Sequence, residues 1–299
     1  MITDTPHPNG AGTTDLVLPT ARVEDRRLRF DTSREAGHAL ELGAFHLAVP
    51  DGLDISPGLE FCRTFYRPGV AGDRRRGHRE HRHPESKLGY EDRPDQVEQL
   101  QIESFLWERY LPDDVTALLR DMRELTLQAL AGVFELSGVP EADRETVTGG
   151  ARGDNGLCYT TVNHYRAGLG GRTGIVGHSD SGFITTICTD QPGYRILHRG
   201  RWLPVRERPG HFTVNLGDAF RVLTRKLPRP VTAVYHRVPG LTATPGNPDR
   251  SSFTVYMGPR YDMDLYQYDT DGTLRPYRSF RAFSVDKAKE LGYDFHARV

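Results

Sequence analysis

From residue 157 to residue 257 the side chains either alternate in character or break at a turn, and this rhythm restricts the region to a β fold. In the first run Tyr159, Thr161, Asn163 and Tyr165 share one face, and Cys158, Thr160, Val162 and His164 share the other. Short strand candidates follow at 183–188, 194–197, 201–205, 211–215, 219–223, 231–238 and 251–257. Pro192-Gly193, Arg199-Gly200, Pro209-Gly210 and Leu216-Gly217-Asp218 punctuate them as turns. Many short antiparallel strands make a sandwich or a barrel. The Tyr159–Tyr165 face is polar within a strand-like run. That suits the lining of a wet, ligand-filled cavity, or else the exposed face of an edge strand.

The region upstream reads differently. Residues 1–15 are rich in Gly, Pro and Thr and read as a disordered leader. Leu28-Arg29-Phe30 is a short strand, and Asp31 or Ser33 can cap a helix over 34–42 that Gly43 stops. A strand over 44–49, a turn at Pro50-Asp51-Gly52 and a helix over 56–66 follow. Pro112 and the acidic pair Asp113-Asp114 open a long helix. Its apolar positions Val115, Leu118, Leu119, Met122, Leu125, Leu130, Val133 and Phe134 recur at three- and four-residue steps. Gly138 and Pro140 end it, and its stripe is core facing the outside of a barrel. The chain thus divides into a leader (1–15), a helical and strand region (16–150) packing on a core (151–262), and a tail (263–299) with a helix at 284–291. All of it is read as one structural unit.

With 39 basic and 40 acidic residues among 299, the charge is balanced and makes no case for nucleic acid. No run of 18 apolar residues exists, so no transmembrane helix is expected. The start lacks a basic, apolar secretory signal. Cys62, Cys158 and Cys188 are widely spaced and form no C-x-x-C, which disfavours a disulfide framework and suits a reducing cytoplasm. Nothing in the composition sets the oligomeric state. The basic run 73–83, DRRRGHREHRH, reads as a solvated loop, or as a lid that attracts an anion. Its His78, His81 and His83 lack a carboxylate or Cys to complete a metal patch.

The chemistry lies in Gly177-His178-Ser179-Asp180 and in His236. On a strand, His178 and Asp180 point to one side while Ser179 points away. Two imidazoles and one carboxylate make a triad that holds Fe(II) on one face and leaves positions open for substrates. Zinc could occupy the same donors, but no H-E-x-x-H supplies a hydrolytic base. Arg250 and Ser252, two residues apart at the head of the last strand, can grip a carboxylate. A guanidinium does so through two parallel hydrogen bonds.

The order of these motifs resembles the isopenicillin N synthase-like family of iron(II)- and 2-oxoglutarate-dependent oxygenases. It runs Asn163-x-Tyr165, His178-x-Asp180, Gly182, Trp202, Pro209 to Asp218, His236-Arg237-Val238 and Arg250-x-Ser252. The resemblance covers about residues 157 to 259, with a weaker match from Leu28. His164 and Arg166-Ala167 depart from the plant-type pattern, which continues with prolines. The resemblance implies an α+β, β-rich fold: a double-stranded β-helix (jelly roll) core with supporting helices and the metal inside. It implies Fe(II) on His178, Asp180 and His236, 2-oxoglutarate held by Arg250, Ser252, Tyr165 and Asn163, O2 as co-substrate and ascorbate as reductant. The implied reaction oxidises an unactivated C–H bond of a small molecule, ending in hydroxylation, desaturation, cyclisation or epimerisation. Specialised metabolite or antibiotic biosynthesis is the implied setting. A halogenase is disfavoured, because Asp180 fills the position that such an enzyme leaves for chloride. Tyr90, Tyr159, Thr161 and the basic run 74–83 are candidates for contact with the substrate. Two other functions stay open: a four-electron oxidase without 2-oxoglutarate, in which Arg250 and Ser252 hold the substrate's own carboxylate, and a non-catalytic jelly-roll binding protein.

Overall fold

A computed structural model describes residues 15–83, 89–151, 156–242 and 248–290. The leader up to residue 14 and the tail from 291 lie outside the described residues. In chain order the strands are β1 (Thr20–Glu24), β2 (Arg27–Phe30), β3 (Ala44–Ala48), β4 (Tyr90–Asp92), β5 (Val97–Glu103), β6 (Leu157–Tyr165), β7 (Ile175–His178) and β8 (Ile184–Thr189). They continue as β9 (Arg195–His198), β10 (Arg201–Pro204), β11 (His211–Leu216), β12 (His236–Val238), β13 (Arg250–Gly258), β14 (Asp264–Tyr268) and β15 (Leu274–Ser279). The helices are α1 (Ser33–Leu42), α2 (Ser56–Cys62), α3 (Trp107–Tyr110), α4 (Asp113–Ser137), α5 (Glu141–Thr148), α6 (Asp218–Thr224) and α7 (Phe280–Glu290).

Alternation along β6 decides how the molecule is layered. The large sheet has the order β2-β1-β3-β11-β8-β13-β6-β5-β4, and the small one β10-β9-β12-β7. Side chains from both sheets line one cavity between them. The opposite face of the large sheet packs on helices. There Thr186 of β8 meets Thr126 of α4 through their hydroxyls at 2.8 Å, and Phe134 of α4 lies edge-on to Phe183. This is the double-stranded β-helix with supporting helices. Leu118, Leu119, Met122, Val133 and Phe134 of α4 are buried in one continuous core with Val162, Phe253 and Val255. Each such side chain stabilises the fold by about 1.5–3 kcal/mol.

Local chemistry sets the helix ends. Thr32 caps α1, accepting from the Glu35 amide at 3.1 Å, in place of the expected Asp31 or Ser33. Gly43 closes α1 at φ +72, where a Cβ would strike the Thr232 carbonyl. Pro112 and Gly138 bound α4.

Several elements differ from the sequence expectation. Residues 219–223 form helix α6, not a strand. Ala219, Phe220, Val222 and Leu223 are all buried, and a run this short and apolar has no readable period. Asp218 in its first turn and the preceding Gly217 favour the helix. Only His236–Val238 of 231–238 pairs as a strand, after Pro228 and Pro230. The helix expected over 56–66 ends at Cys62. Strand β1 and the hairpin of β14 with β15 are additional. The tail helix starts at Phe280, earlier than expected, and residue 291 lies outside the described residues.

The basic run is a surface segment with one short helical turn at His78–Glu80, tied down by acidic partners. Arg74 and Arg75 pair with Asp113 and Asp114 at the head of α4, Arg76 with Asp73, and Arg79 with the buried Glu98 at 3.0 Å. His78 is buried, its Nδ1 3.0 Å from Nδ1 of His81. None of residues 73–83 lines the cavity. Among the described residues only His178, Asp180 and His236 cluster as metal donors. No described helix is long and apolar enough to cross a membrane.

Candidate active site

The pairing register builds the floor of the cavity. Across β13 and β6, Arg250 faces Tyr165, Ser252 faces Asn163, Thr254 faces Thr161 and Tyr256 faces Tyr159. Thr185, Ile187 and Thr189 of β8 continue these rows. All of these residues line the cavity of about 240 Å³. The polar face of β6 therefore looks into it.

The small sheet supplies the roof. His236 of β12 pairs directly with His178 of β7, which sets the two rings 4.3 Å apart. Asp180 follows two residues on, its Oδ1 3.6 Å from His178 Nε2. Donor atoms of the three lie within 4.8 Å of one another. His178 Nδ1 donates to the Val176 carbonyl at 2.9 Å, and His236 Nδ1 to the Val234 carbonyl at 3.3 Å. Both hydrogen bonds place the proton on Nδ1 and turn Nε2, the free lone pair, toward the cluster. Burial pushes the His236 imidazole down to about 4, helped by its neighbour His178. Burial works to raise the Asp180 carboxyl. The hydrogen bond with His178, the His236 and His178 charges and the Thr185 hydroxyl outweigh it and hold the group well below the usual range. The cluster thus offers two imidazole Nε2 atoms and a carboxylate, the donor set that suits Fe(II).

Three supports were not singled out from sequence. Thr185 Oγ1 donates to Asp180 Oδ2 at 2.7 Å. Tyr194 donates to Asn215 Oδ1 at 2.6 Å, and Asn215 Nδ2 lies 3.4 Å from His236 Nε2. Ser179, the residue pointing away, donates to Asp218 Oδ2 at 3.0 Å and receives Lys287 Nζ of α7 at 2.5 Å. Lys287 also pairs with Asp218, which Arg221 holds from its other oxygen at 2.8 Å. Their signal is weak in sequence, because each acts on the cluster only through another side chain.

The Arg250 end fits an anion. Arg250 is 3 % exposed, lies over the Tyr165 ring at 4.2 Å and reaches only the Pro192 and Pro239 carbonyls, both at 3.3 Å. No described carboxylate pairs with it. Gly193, at φ +148, leaves the room its guanidinium occupies, since a Cβ there would collide with it. Ser252 Oγ accepts from Asn163 Nδ2 at 3.2 Å and keeps its own proton to donate.

Tyr159 and Thr161 line the cavity, with Tyr159 stacked on Tyr256 at 4.4 Å. Tyr90 does not. It is buried on the opposite side of the short strand β4, donating to Glu98 Oε2 at 2.5 Å, and its neighbour Glu91 lines the cavity instead.

Residues 157–259 match the 2OG-Fe(II) oxygenase superfamily. The stretch is similar to that superfamily's domain. It holds β6 to β13, and so every candidate ligand of iron and 2-oxoglutarate named above. Gibberellin 2-beta-dioxygenase 6 of Oryza sativa subsp. japonica is 31% identical over 180 residues, 56% of this chain and 47% of that protein. Gibberellin 2-beta-dioxygenase 7 of Arabidopsis thaliana is 27% identical, over 45% of this chain and 39% of that one. The chain spans about half, or less, of these curated relatives. The crystal structure of a dioxygenase for auxin oxidation in rice superposes with a TM-score of 0.67 at 20% identity, covering 92% of this chain and 96% of that one. A Neurospora crassa protein crystallised with alpha-KG and 5-formyluracil gives 0.63 at 16%, covering 87% and 90%. Both share the fold of this chain. The isopenicillin N synthase-like branch is not singled out by these likenesses.

Proposed function

We propose that this protein is an Fe(II)- and 2-oxoglutarate-dependent dioxygenase that oxidises an unactivated C–H bond of a small molecule. One observation carries the reading: a buried arginine with no ion pair among the described residues shares a cavity with a clustered two-His, one-Asp donor set. Burying a lone guanidinium is costly, and a dianionic keto acid offsets that cost.

His178, Asp180 and His236 would hold the iron. Bound iron, with 2-oxoglutarate and O2, supplies the oxidant for the C–H bond and leaves succinate and carbon dioxide. The chain's own residues bind and orient. Arg250 takes the distal carboxylate through its planar fork, with the Ser252 and Tyr165 hydroxyls as further donors. Asn163 fixes Ser252 from the facing strand. The Val176 and Val234 carbonyls keep both imidazoles turned. Thr185 holds one carboxylate oxygen of Asp180. The stacked Tyr159 and Tyr256 wall off solvent beside them.

Whether the product is an alcohol, an alkene, a ring or an epimer belongs to the substrate. The setting in specialised or antibiotic metabolism rests on the resemblance alone, while the curated relatives are named for gibberellin oxidation. The cytoplasmic setting rests on three buried free cysteines. The deciding experiment adds Fe(II) to the purified protein and measures succinate formed from 2-oxoglutarate under O2. Succinate that requires the iron supports the reading; oxidised product without any succinate overturns it.

A further inference from the structure

One row of the cavity floor begins at Ser252 of the Arg250 clamp and runs across the sheet to its last strand. Glu91 on β4 faces Gln99 on β5, Gln99 faces Asn163 on β6, and Asn163 faces Ser252 on β13. The row runs from the last strand of the large sheet inward, and all four side chains line the cavity. Gln99 Nε2 donates to Glu91 Oε2 at 2.8 Å, which fixes the carboxylate in place. Glu91 has no cationic partner among the described residues.

Most of the other charges lining this cavity have a partner. Arg93 is paired with Asp95 at 2.9 Å, and Lys287 with Asp218. Asp180 stands among imidazoles. Glu207 is the exception: it makes no ion pair among the described residues, and its Oε1 is buried without a described hydrogen-bond partner. Deeper in the row, Asn163 is 4 % exposed, and its Oδ1 is buried with no hydrogen-bond partner among the described residues. A buried acceptor left unpaired costs about 1–3 kcal/mol. A fixed carboxylate and an orphaned carbonyl in one row both ask for N–H donors.

We propose that Glu91, with Gln99 and Asn163 behind it, is the recognition subsite for the prime substrate, and that this substrate carries a cationic nitrogen group: an ammonium, an amidine or a guanidine. This rests on the dioxygenase reading above. The substrate is also small. The cavity of about 240 Å³ must hold the keto acid as well, and pockets for drug-sized ligands alone span ~300–1,000 Å³.

The test uses the protein loaded with Fe(II) and 2-oxoglutarate and a panel of probes in three charge classes. L-Arginine, agmatine, L-lysine and spermidine are cationic. L-Citrulline and thymine are neutral side-chain counterparts or N–H heterocycles. Indole-3-acetic acid and jasmonic acid are anionic. Binding is read by calorimetry and stimulated turnover by succinate release. The expected result is binding confined to the cationic class, with arginine at least tenfold tighter than citrulline. In Glu91→Gln that ratio should fall to about one, and Glu91→Asp should restore part of it. Anionic or neutral probes binding wild type as tightly as cations, an arginine-to-citrulline ratio unmoved by Glu91→Gln, or no cationic probe binding at all would each overturn the proposal. Wild-type binding of 2-oxoglutarate, measured first without any probe, separates this failure from a failure of the dioxygenase reading.

Discussion

Arg250 lies directly across the β13–β6 ladder from Tyr165, its guanidinium 4.2 Å from the centre of the phenol ring. The ring presents its π face to the cation and leaves the planar fork open toward the cavity. Burial pushes the Arg250 guanidinium down and the Tyr165 phenol up, and each group partly offsets the shift of the other. The arginine nonetheless stays charged and the tyrosine protonated at neutral pH, as a carboxylate clamp needs.

Arg250→Ala should raise the KM for 2-oxoglutarate by about ten- to more than a hundredfold, the worth of hydrogen bonds to a charged group at roughly 1.5–3 kcal/mol. Arg250→Lys should recover little of it, because a point charge replaces a fork. Affinity for the prime substrate should change far less. Steady-state kinetics with both ligands varied checks this. A prime-substrate affinity that collapses while the keto acid has no effect points instead to the four-electron oxidase.

Asp180→Ala should abolish turnover and weaken iron retention while leaving the melting temperature within a few degrees of wild type. The side chain serves the donor cluster and makes no contribution to the apolar core. Anaerobic Fe(II) titration and a thermal melt of the same sample are the two measurements. Full activity with freshly added iron would mean that another residue completes the site.

Thr185→Val keeps the size of the side chain and removes the donor to Asp180 Oδ2. Outer hydrogen bonds of this kind are worth about 10–100-fold in metal affinity or activity. That loss should appear in the iron dissociation constant, and Thr185→Ser should recover most of it.

His78 gives a pH prediction away from the cavity. Burial pushes its imidazole down to about 4, offset in part by its hydrogen bond to the Arg74 carbonyl. The unfolded chain, with the ordinary value of 6.5, therefore binds more protons between those limits. Stability from this group is complete above pH 6.5 and is lost as the pH falls through 6.5 toward 4. Between pH 7.5 and 5 the loss amounts to about 2 kcal/mol. In urea melts at those two pH values, His78→Gln should shrink the wild-type difference by about that amount.

Alternation made much of the candidate site legible in advance. Residues two apart on a strand share a face, so Tyr165, Asn163, Arg250 and Ser252 could be read as one surface, and His178 with Asp180 as another. The pairing of β13 with β6 and of β12 with β7 brings these sets together, and that register is a tertiary fact. Where phase was uncertain, the reading slipped. Strand β4 has three residues, too few to show its phase, and it is Glu91, not the candidate Tyr90, whose side chain lines the cavity. Helix α6 was hidden because all but one of its residues are buried. The basic run looked solvent-bound because its acidic partners, Asp113, Asp114 and Glu98, lie up to 39 residues away. Thr185, Asn215 and Lys287 act through other side chains, and no local pattern marks them.

The carboxylate of Asp218 is shared by two parts of the chain. One is Ser179, between the candidate ligands His178 and Asp180; the other is Lys287, on the helix that forms a wall of the cavity. Occupancy at one end and docking at the other are therefore thermodynamically reciprocal: whatever stabilises the ligand loop must also tighten the helix, by the same free energy. A protease can read that linkage from outside. Trypsin should cut at Lys287 or Lys289 faster in metal-free protein than after Fe(II) and 2-oxoglutarate are added, and Lys287→Met should erase most of the difference at Lys289. In that sense the last described helix reports on the filling of a site whose ligand loop it reaches across 108 residues of chain.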